Sequence, residues 1–262
     1  MSENELLLKG IRVIDAASFI AGPAAATIMS DYGADVIKIE PPEYGDSLRW
    51  LIPRAGLPEA SDDYCWQLVS RNKRSLSLNL KKAKAHEILE ELVKTSDVFI
   101  TNMPLPIRKK LKISSEDIRP LNKKIIYASL TGYGEVGPDA DRTAYDAMAW
   151  WARSGLMDWV RPSSLSQPGH STPGMGDQPT AVALFSAIMS ALYRREKTGR
   201  GAEVSTSLMA NGIWSNGVLI QAALMDAEIS DRSNPPPRHA PLTRDNVGNG
   251  RLYILSNNFL IE

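Results

Sequence analysis

Residues 10–40 read GIRVIDAASFIAGPAAATIMSDYGADVIKIE, and this stretch decides the fold. A β-branched run, IRVID, leads through a turn of small residues into a segment of helical period, and a second apolar run, DVIKIE, ends in an acid. That order is strand, turn, helix, strand, the βαβ unit of a parallel sheet. Pro23 follows Gly22 at the first helical position, where its missing N–H is no loss, and Ala24, Ala25 and Ala26 let the helix lie close to sheet or ligand. The unit superficially matches a dinucleotide-binding opening. Its turn reads SFIAGPAAA, however, with one glycine and a proline where a pyrophosphate site needs G-x-G-x-x-G, so NAD and flavin are not expected.

Outward from this unit the same alternation continues. SLSLNL (75–80), DVFIT (97–101), KIIYASL (124–130) and AEVSTSL (202–208) read as further strands. Helical segments are predicted over 23–32, 82–95, 115–121, 144–156, 179–196 and 207–225. In the second of these, Ile88, Leu89, Leu92 and Val93 recur at intervals of three and four and so share one face. The expected fold class is α/β, a Rossmann-like open, mostly parallel sheet with helices on both faces, plus the start of a smaller second domain. Residues 230–250, SDRSNPPPRHAPLTRDNVGNG, read as a linker, and GNGRLYILSNNF (248–259) as a hairpin turn opening a strand at Arg251. We therefore expect a large domain over 1–228 and, over 229–262, a linker and the beginning of a small domain in which the chain reads as truncated.

Composition narrows the function classes. Thirty basic residues balance thirty acidic ones across 262 residues, so no nucleic acid or anionic membrane is expected as a partner. The amino terminus lacks a basic start followed by an apolar core, and no run of eighteen apolar residues occurs, which makes the cytoplasm the expected compartment. One cysteine and three scattered histidines suggest neither an internal disulfide nor a metal site. Cys65, beside Trp66, reads as a buried or half-buried thiol and His86 as a helix-face residue.

Several features are candidates for chemistry. The loop RPSSLSQPGHSTPGMG (161–176) is longer than a simple connection needs and leads directly into Asp177. An aspartate with an ordinary pKa of about 3.9 is ionised at neutral pH without a neighbouring base, so Asp177 is either a nucleophile or a cap for the helix that follows. Glu40 lies near the carboxyl end of its strand, and Asp46 and Arg49 after it form either an internal ion pair or a binding element. Lys73, Arg74 and Lys81, with the basic knot RKKLK (108–112), either catch a polyphosphate or lie solvated. Trp150, Trp151, Met157 and Trp159 line an apolar pocket or belong to the core.

Taken in order, GIRVIDAASFIAGPAAATIMSDYGADVIKIEPPEYGDSLR, RNKRSLSLNLK, ASLTGYGEVGP, AYDAMAWWARSG, PGMGD and YRREKTGRGAEVSTSL resemble the class III CoA-transferase family over nearly the whole chain. TGYGEVGPDADR and AYDAMAWWARSG look most like the members that move CoA among aryl or branched 2-hydroxy acids such as phenyllactate. The resemblance implies an enzyme that takes acyl-CoA and a carboxylic acid, with coenzyme A as substrate and neither metal nor NAD or flavin. It makes Asp177 the nucleophile, which forms an aspartyl anhydride and then an aspartyl-CoA thioester. Backbone N–H groups near Gly174 and Gly176 would steady the oxyanion, at about 3–4 kcal/mol per donor.

For coenzyme A the resemblance points to Ile20 and Ala21, to Leu78 and Lys81, to Asn102, Met103 and Pro104, and to Tyr145 near the thiol end. Pro41 and Lys110 stand where the formyl transferase has arginines, so Lys110 offers a point charge in place of a fork, and Arg74 or Arg108 is available as a substitute. The family's acyl-CoA racemases share the fold and are an alternative. They place a histidine where this chain has Tyr145, and a phenol is a poor base at neutral pH. Family members are also considerably longer and form interlocked homodimers, which leaves dimerisation of this chain in doubt and a non-catalytic CoA-binding fragment as a third reading.

Overall fold

The computed structural model describes residues 6–52, 57–228 and 232–233. Six strands, β1 (Arg12–Asp15), β2 (Asp35–Glu40), β3 (Lys73–Ser77), β4 (Val98–Thr101), β5 (Ile126–Thr131) and β6 (Ala202–Ser207), form one sheet in the order β3-β2-β1-β4-β5-β6. Every pairing is parallel. The order reverses between β1 and β4, and in open parallel sheets the crevice outside the carboxyl ends at such a point is where ligands bind.

Nine α-helices are found among the described residues: α1 (Ala21–Asp31), α2 (Tyr64–Ser70), α3 (Ala83–Lys94), α4 (Leu105–Lys110), α5 (Ser115–Ile118), α6 (Leu156–Trp159), α7 (Asp177–Thr198), α8 (Leu208–Ser215) and α9 (Gly217–Leu224). Alternate strand residues divide between two cores. Val13, Val36, Val98 and Ile126 pack with α1 and with Leu184 and Ile188 of α7, whereas Ile14, Ile37, Phe99 and Tyr127 pack with Ala85, Leu89 and Val93 of α3. Helices therefore cover both faces, as the apolar strands require. The alanines of α1 serve this packing, since Ala25 and Ala26 are wholly buried. None of the described helices is long and apolar enough to cross a membrane.

The strands and longer helices match the sequence expectation, with instructive differences. β3 begins at Lys73, two residues early, because the Lys73 side chain is buried on the strand rather than a basic flank, and it ends at Ser77, three residues early. The expected helix over 144–156 is a π-helical turn, Ala147–Ala152, in which Asp146 caps the N–H of Ala147. The expected helix over 207–225 breaks at Asn216, whose side chain donates to the Ser154 carbonyl at 2.9 Å. Helix α2, not anticipated, starts where Asp63 accepts from the Trp66 N–H. The linker, the hairpin and the strand at Arg251 lie outside the described residues, apart from Arg232 and Ser233.

Beneath the first βα turn sits a buried ionic cluster. Lys38 pairs with Asp46 at 2.8 Å, and Lys73 pairs with Asp15 at 2.8 Å, all four side chains being almost completely buried. Burial alone would raise the pKa of Asp15, but Lys38 and Lys73 outweigh it and hold the carboxyl below the usual range. Arg49 makes a two-pronged contact with Glu40 at 2.9 and 3.0 Å rather than with Asp46. Both Asp46 and Arg49 are thus internal ion-pair residues, with partners other than each other.

Candidate active site

Asp177 is the first residue of α7, at the carboxyl end of the sheet. The loop before it is shaped by two glycines. Gly174 has a φ of +80° and sits against the turn after β1, where a Cβ would lie 3.5 Å from Cδ1 of Ile20. Gly176 lies on the indole of Trp150, and a Cβ there would come within 2.5 Å of ring atom Cγ. No larger residue fits that second position without moving the ring.

Asp146 joins the loop to the π-helical turn. Its buried carboxylate accepts from Ala147 N–H at 2.8 Å and from Gly176 N–H at 3.0 Å. The Gly176 N–H is thereby committed to a side chain in this structure, which leaves Gly174 as the uncommitted one of the two glycine donors considered from sequence. Asp177 has no hydrogen-bond or ion-pair partner among the described residues. Burial, and then the negative charge of Asp146, push its pKa up to about 7. The ordinary carboxylate value assumed from sequence is corrected accordingly: Asp177 is poised between its two forms at neutral pH. Its place in the first turn of α7 pulls the other way, because the helix dipole favours the charged form there.

Around this centre the structure gathers part of the residues singled out from sequence. Ile20 precedes α1 and touches the Gly174 position, and Ala21 is the buried first residue of α1. Tyr145 is 61% exposed and meets Phe19 edge-to-face at 5.5 Å between ring centres. Asn102 stands across the crevice at the end of β4. Its amide donates to the Ser18 carbonyl at 2.7 Å and accepts from the Ser18 N–H at 2.8 Å. Met103 is half-buried, and its carbonyl accepts from Arg108, while the Pro104 carbonyl starts α4.

The other residues singled out from sequence have varied surroundings. Leu78 follows the carboxyl end of β3 and is buried in the core on the α3 face, and Lys81 and Lys110 are exposed near helix ends. Arg74 pairs with Asp35 at 2.6 Å toward the amino end of the sheet, so it cannot replace an arginine at the ligand end. Arg108 is buried against Glu135 and the Met103 carbonyl, so it serves the core and not solvent. Trp150 and Trp151 are buried, settling them as core, although the Trp150 indole N–H has no partner among the described residues. A cleft of about 1010 Å³ lined by Asn122, Arg194 and Arg200 opens at the opposite, amino-terminal end of the strands.

Sequence reasoning missed Phe19 and Asp146 as parts of this site. Asp146 had a signal, an aspartate immediately before a helical run. Phe19 had none, since its φ of +64° is a conformation few residues but glycine and asparagine adopt readily.

Residues 8–256 match the family described as CoA-transferase family III. The chain belongs to that family. It is 36% identical over 224 residues to a cinnamoyl-CoA:phenyllactate CoA-transferase of Clostridium sporogenes, covering 85% of this chain and 54% of that protein. It is 34% identical to an (R)-2-hydroxy-4-methylpentanoate CoA-transferase of Clostridioides difficile, covering 88% of this chain and 58% of that protein. Among solved structures, a CAIB/BAIF family protein from Brucella suis superposes with a TM-score of 0.78 at 29% identity, over 87% of this chain and 60% of that one. This family III chain thus spans about half the length of the relatives it matches.

Proposed function

We propose that the chain carries the nucleophile and part of the CoA crevice of a CoA-transferase, with Asp177 as the acyl-accepting residue. The observation that carries this reading is the carboxylate of Asp177, partnerless among the described residues, raised to a pKa of about 7 and placed where the first βα turn meets the start of α7. A carboxylate with a raised pKa is a stronger nucleophile than an ordinary one and is still half ionised at neutral pH.

In the proposed cycle an Asp177 oxygen attacks the thioester carbonyl, the C–S bond breaks, and CoA leaves as its thiolate. The thiolate then attacks the aspartyl carbonyl of the mixed anhydride, releasing the donor's carboxylate and leaving an aspartyl-CoA thioester. An acceptor carboxylate attacks that thioester, expels the thiolate and forms a second anhydride. Return of the thiolate to the acceptor's acyl carbon yields the new acyl-CoA and restores Asp177. No proton is gained or lost, so no separate base is required. Loss of the anhydride to water is limited by the half-buried setting of Asp177.

The names of the two clostridial relatives support an aryl or branched 2-hydroxy acid as the acceptor. The racemase alternative is disfavoured, because the residue before Asp146 is an exposed tyrosine. The same reading assigns residues 1–228 to the CoA-binding and catalytic domain and 229–262 to the linker and the start of a smaller one, with an interlocked homodimer as the assembly of the full-length protein. Exchange of label between an acyl-CoA and a free acid tests it: Asp177→Ala should abolish exchange, and full activity in that variant would end the proposal.

A further inference from the structure

The turn between β1 and α1 is held from two sides by side chains of other loops. On one side Asn102 grips Ser18 through both backbone groups, at 2.8 Å to the N–H and 2.7 Å to the carbonyl. On the other, Oδ1 of Asp46 accepts from Ser18 Oγ and from the Phe19 N–H, each at 3.0 Å, while its second oxygen faces the Lys38 ammonium at 2.8 Å. Between the two grips Phe19 adopts a φ of +64°. A non-glycine residue stays in that region only where its surroundings over-determine it, and such residues cluster at functional sites.

The conformation has a consequence at the crevice. It directs the Phe19 ring edge-to-face onto Tyr145 and sets Ile20 against Gly174, three residues before Asp177. We infer that Asp46 and Asn102 are positioning residues, which hold the Phe19 turn in its left-handed form so that Phe19 and Ile20 present a preformed wall to the acyl-CoA. The inference rests on the proposed function, and it gives Asn102 a task besides ligand contact: each end of its amide makes one hydrogen bond to Ser18. Asp46, exposed by only 4%, is out of a ligand's reach and acts through what it holds: the Ser18–Phe19 turn, the Leu48 N–H and Lys38. A wall formed in advance spares the ligand the cost of ordering it, so its loss weakens binding of substrate and transition state together.

The test is a comparison of Asp46→Asn, Asn102→Ala and Ser18→Ala with the parent protein by steady-state kinetics and by titration with free CoA. Asp46→Asn turns an amide donor toward Lys38, and Asn102→Ala removes the second grip. For both, KM for acyl-CoA and Kd for CoA should rise by about tenfold with kcat held within about threefold, the signature of lost uniform binding. Ser18→Ala keeps the buried ion pair and should raise KM by about two- to fivefold, so a poorly folded Asp46 variant does not remove the test. In a Phe19→Gly background, where the left-handed conformation is no longer strained, the further effect of Asp46→Asn should shrink. Unchanged KM and Kd in folded Asn102→Ala and Ser18→Ala proteins would overturn the inference, and so would an undiminished Asp46→Asn effect in the Phe19→Gly background. Retained turnover in Asp177→Ala would instead remove the nucleophile assignment, and the CoA titration reads the turn independently of it.

Discussion

The Oδ2 atom of Asp146 accepts a hydrogen bond from the backbone N–H of Gly176 at 3.0 Å, which fixes a second carboxylate to the residue next to Asp177. The bond orders the loop that carries Asp177 and at the same time sets a negative charge beside a half-buried acid. Asp146 is thus both a brace and a pKa-raising neighbour.

The first prediction concerns the pH profile. In the proposed cycle only the ionised form of Asp177 attacks a thioester, so kcat/KM for acyl-CoA should climb as pH rises through about 7 and level off above it. Asp146→Asn removes the charge and keeps an acceptor for only one of the Ala147 and Gly176 N–H groups; with its oxygen toward Gly176, the acid limb should move to lower pH. A limb that stays in place would show that burial alone sets the value.

Stability should carry the opposite sign. A carboxyl whose folded pKa is raised binds its proton more tightly in the native state, so the native state loses relative stability as pH climbs from the unfolded value near 3.8 to about 7. Integrated over that window, the loss is up to about 4 kcal/mol. Asp177→Asn should therefore raise Tm at pH 8 and leave it nearly unchanged at pH 4. Thermal melts at the two pH values check this.

Much of the fold was legible because βαβ units write themselves as apolar runs separated by helical periods, and the six strands follow from that alone. Of the candidate site, the sequence points to Asp177 through a long glycine-containing loop and a family resemblance, and the structure adds its neighbours Asp146 and Trp150. The basic residues misled, since Lys73 and Arg108 look like surface cations in sequence yet are buried on Asp15 and Glu135. Which carboxylate each would meet depends on sheet order, which brings residues 58 and 27 positions apart into contact. The π-helical turn at Ala147–Ala152 was invisible as well, because an apolar run of that length fits the ordinary helical period equally well.

Packing at the loop gives a third prediction. Gly176→Ala drives a methyl into the Trp150 ring, and overpacking of this kind costs about 1–3 kcal/mol. Activity should fall further than stability does, because the residue displaced is the neighbour of Asp177. Trp150→Phe removes a buried indole N–H that lacks a partner among the described residues, so it should cost less than truncation to Ala. Since it keeps the Cβ and Cγ atoms that crowd position 176, it should leave the Gly176→Ala penalty in place, whereas Trp150→Ala, which removes Cγ, should partly relieve it. Melting temperatures of the single and double variants measure the coupling.

The buried cluster gives a fourth. Lys38→Met leaves Asp15 and Asp46 short of a cation inside the protein, and breaking a buried pair from one side costs about 3–5 kcal/mol. Urea titration at pH 7 should show the loss, and it should diminish at acid pH as the stranded carboxylates take up protons.

The most direct measurement is peptide mass spectrometry of protein quenched during turnover with an acyl-CoA donor, with and without hydroxylamine. The account predicts an adduct of coenzyme A or acyl mass on the peptide containing Asp177, converted by hydroxylamine to the hydroxamate. An unmodified Asp177 peptide in a sample that is turning over, or an adduct on a different residue, would contradict it.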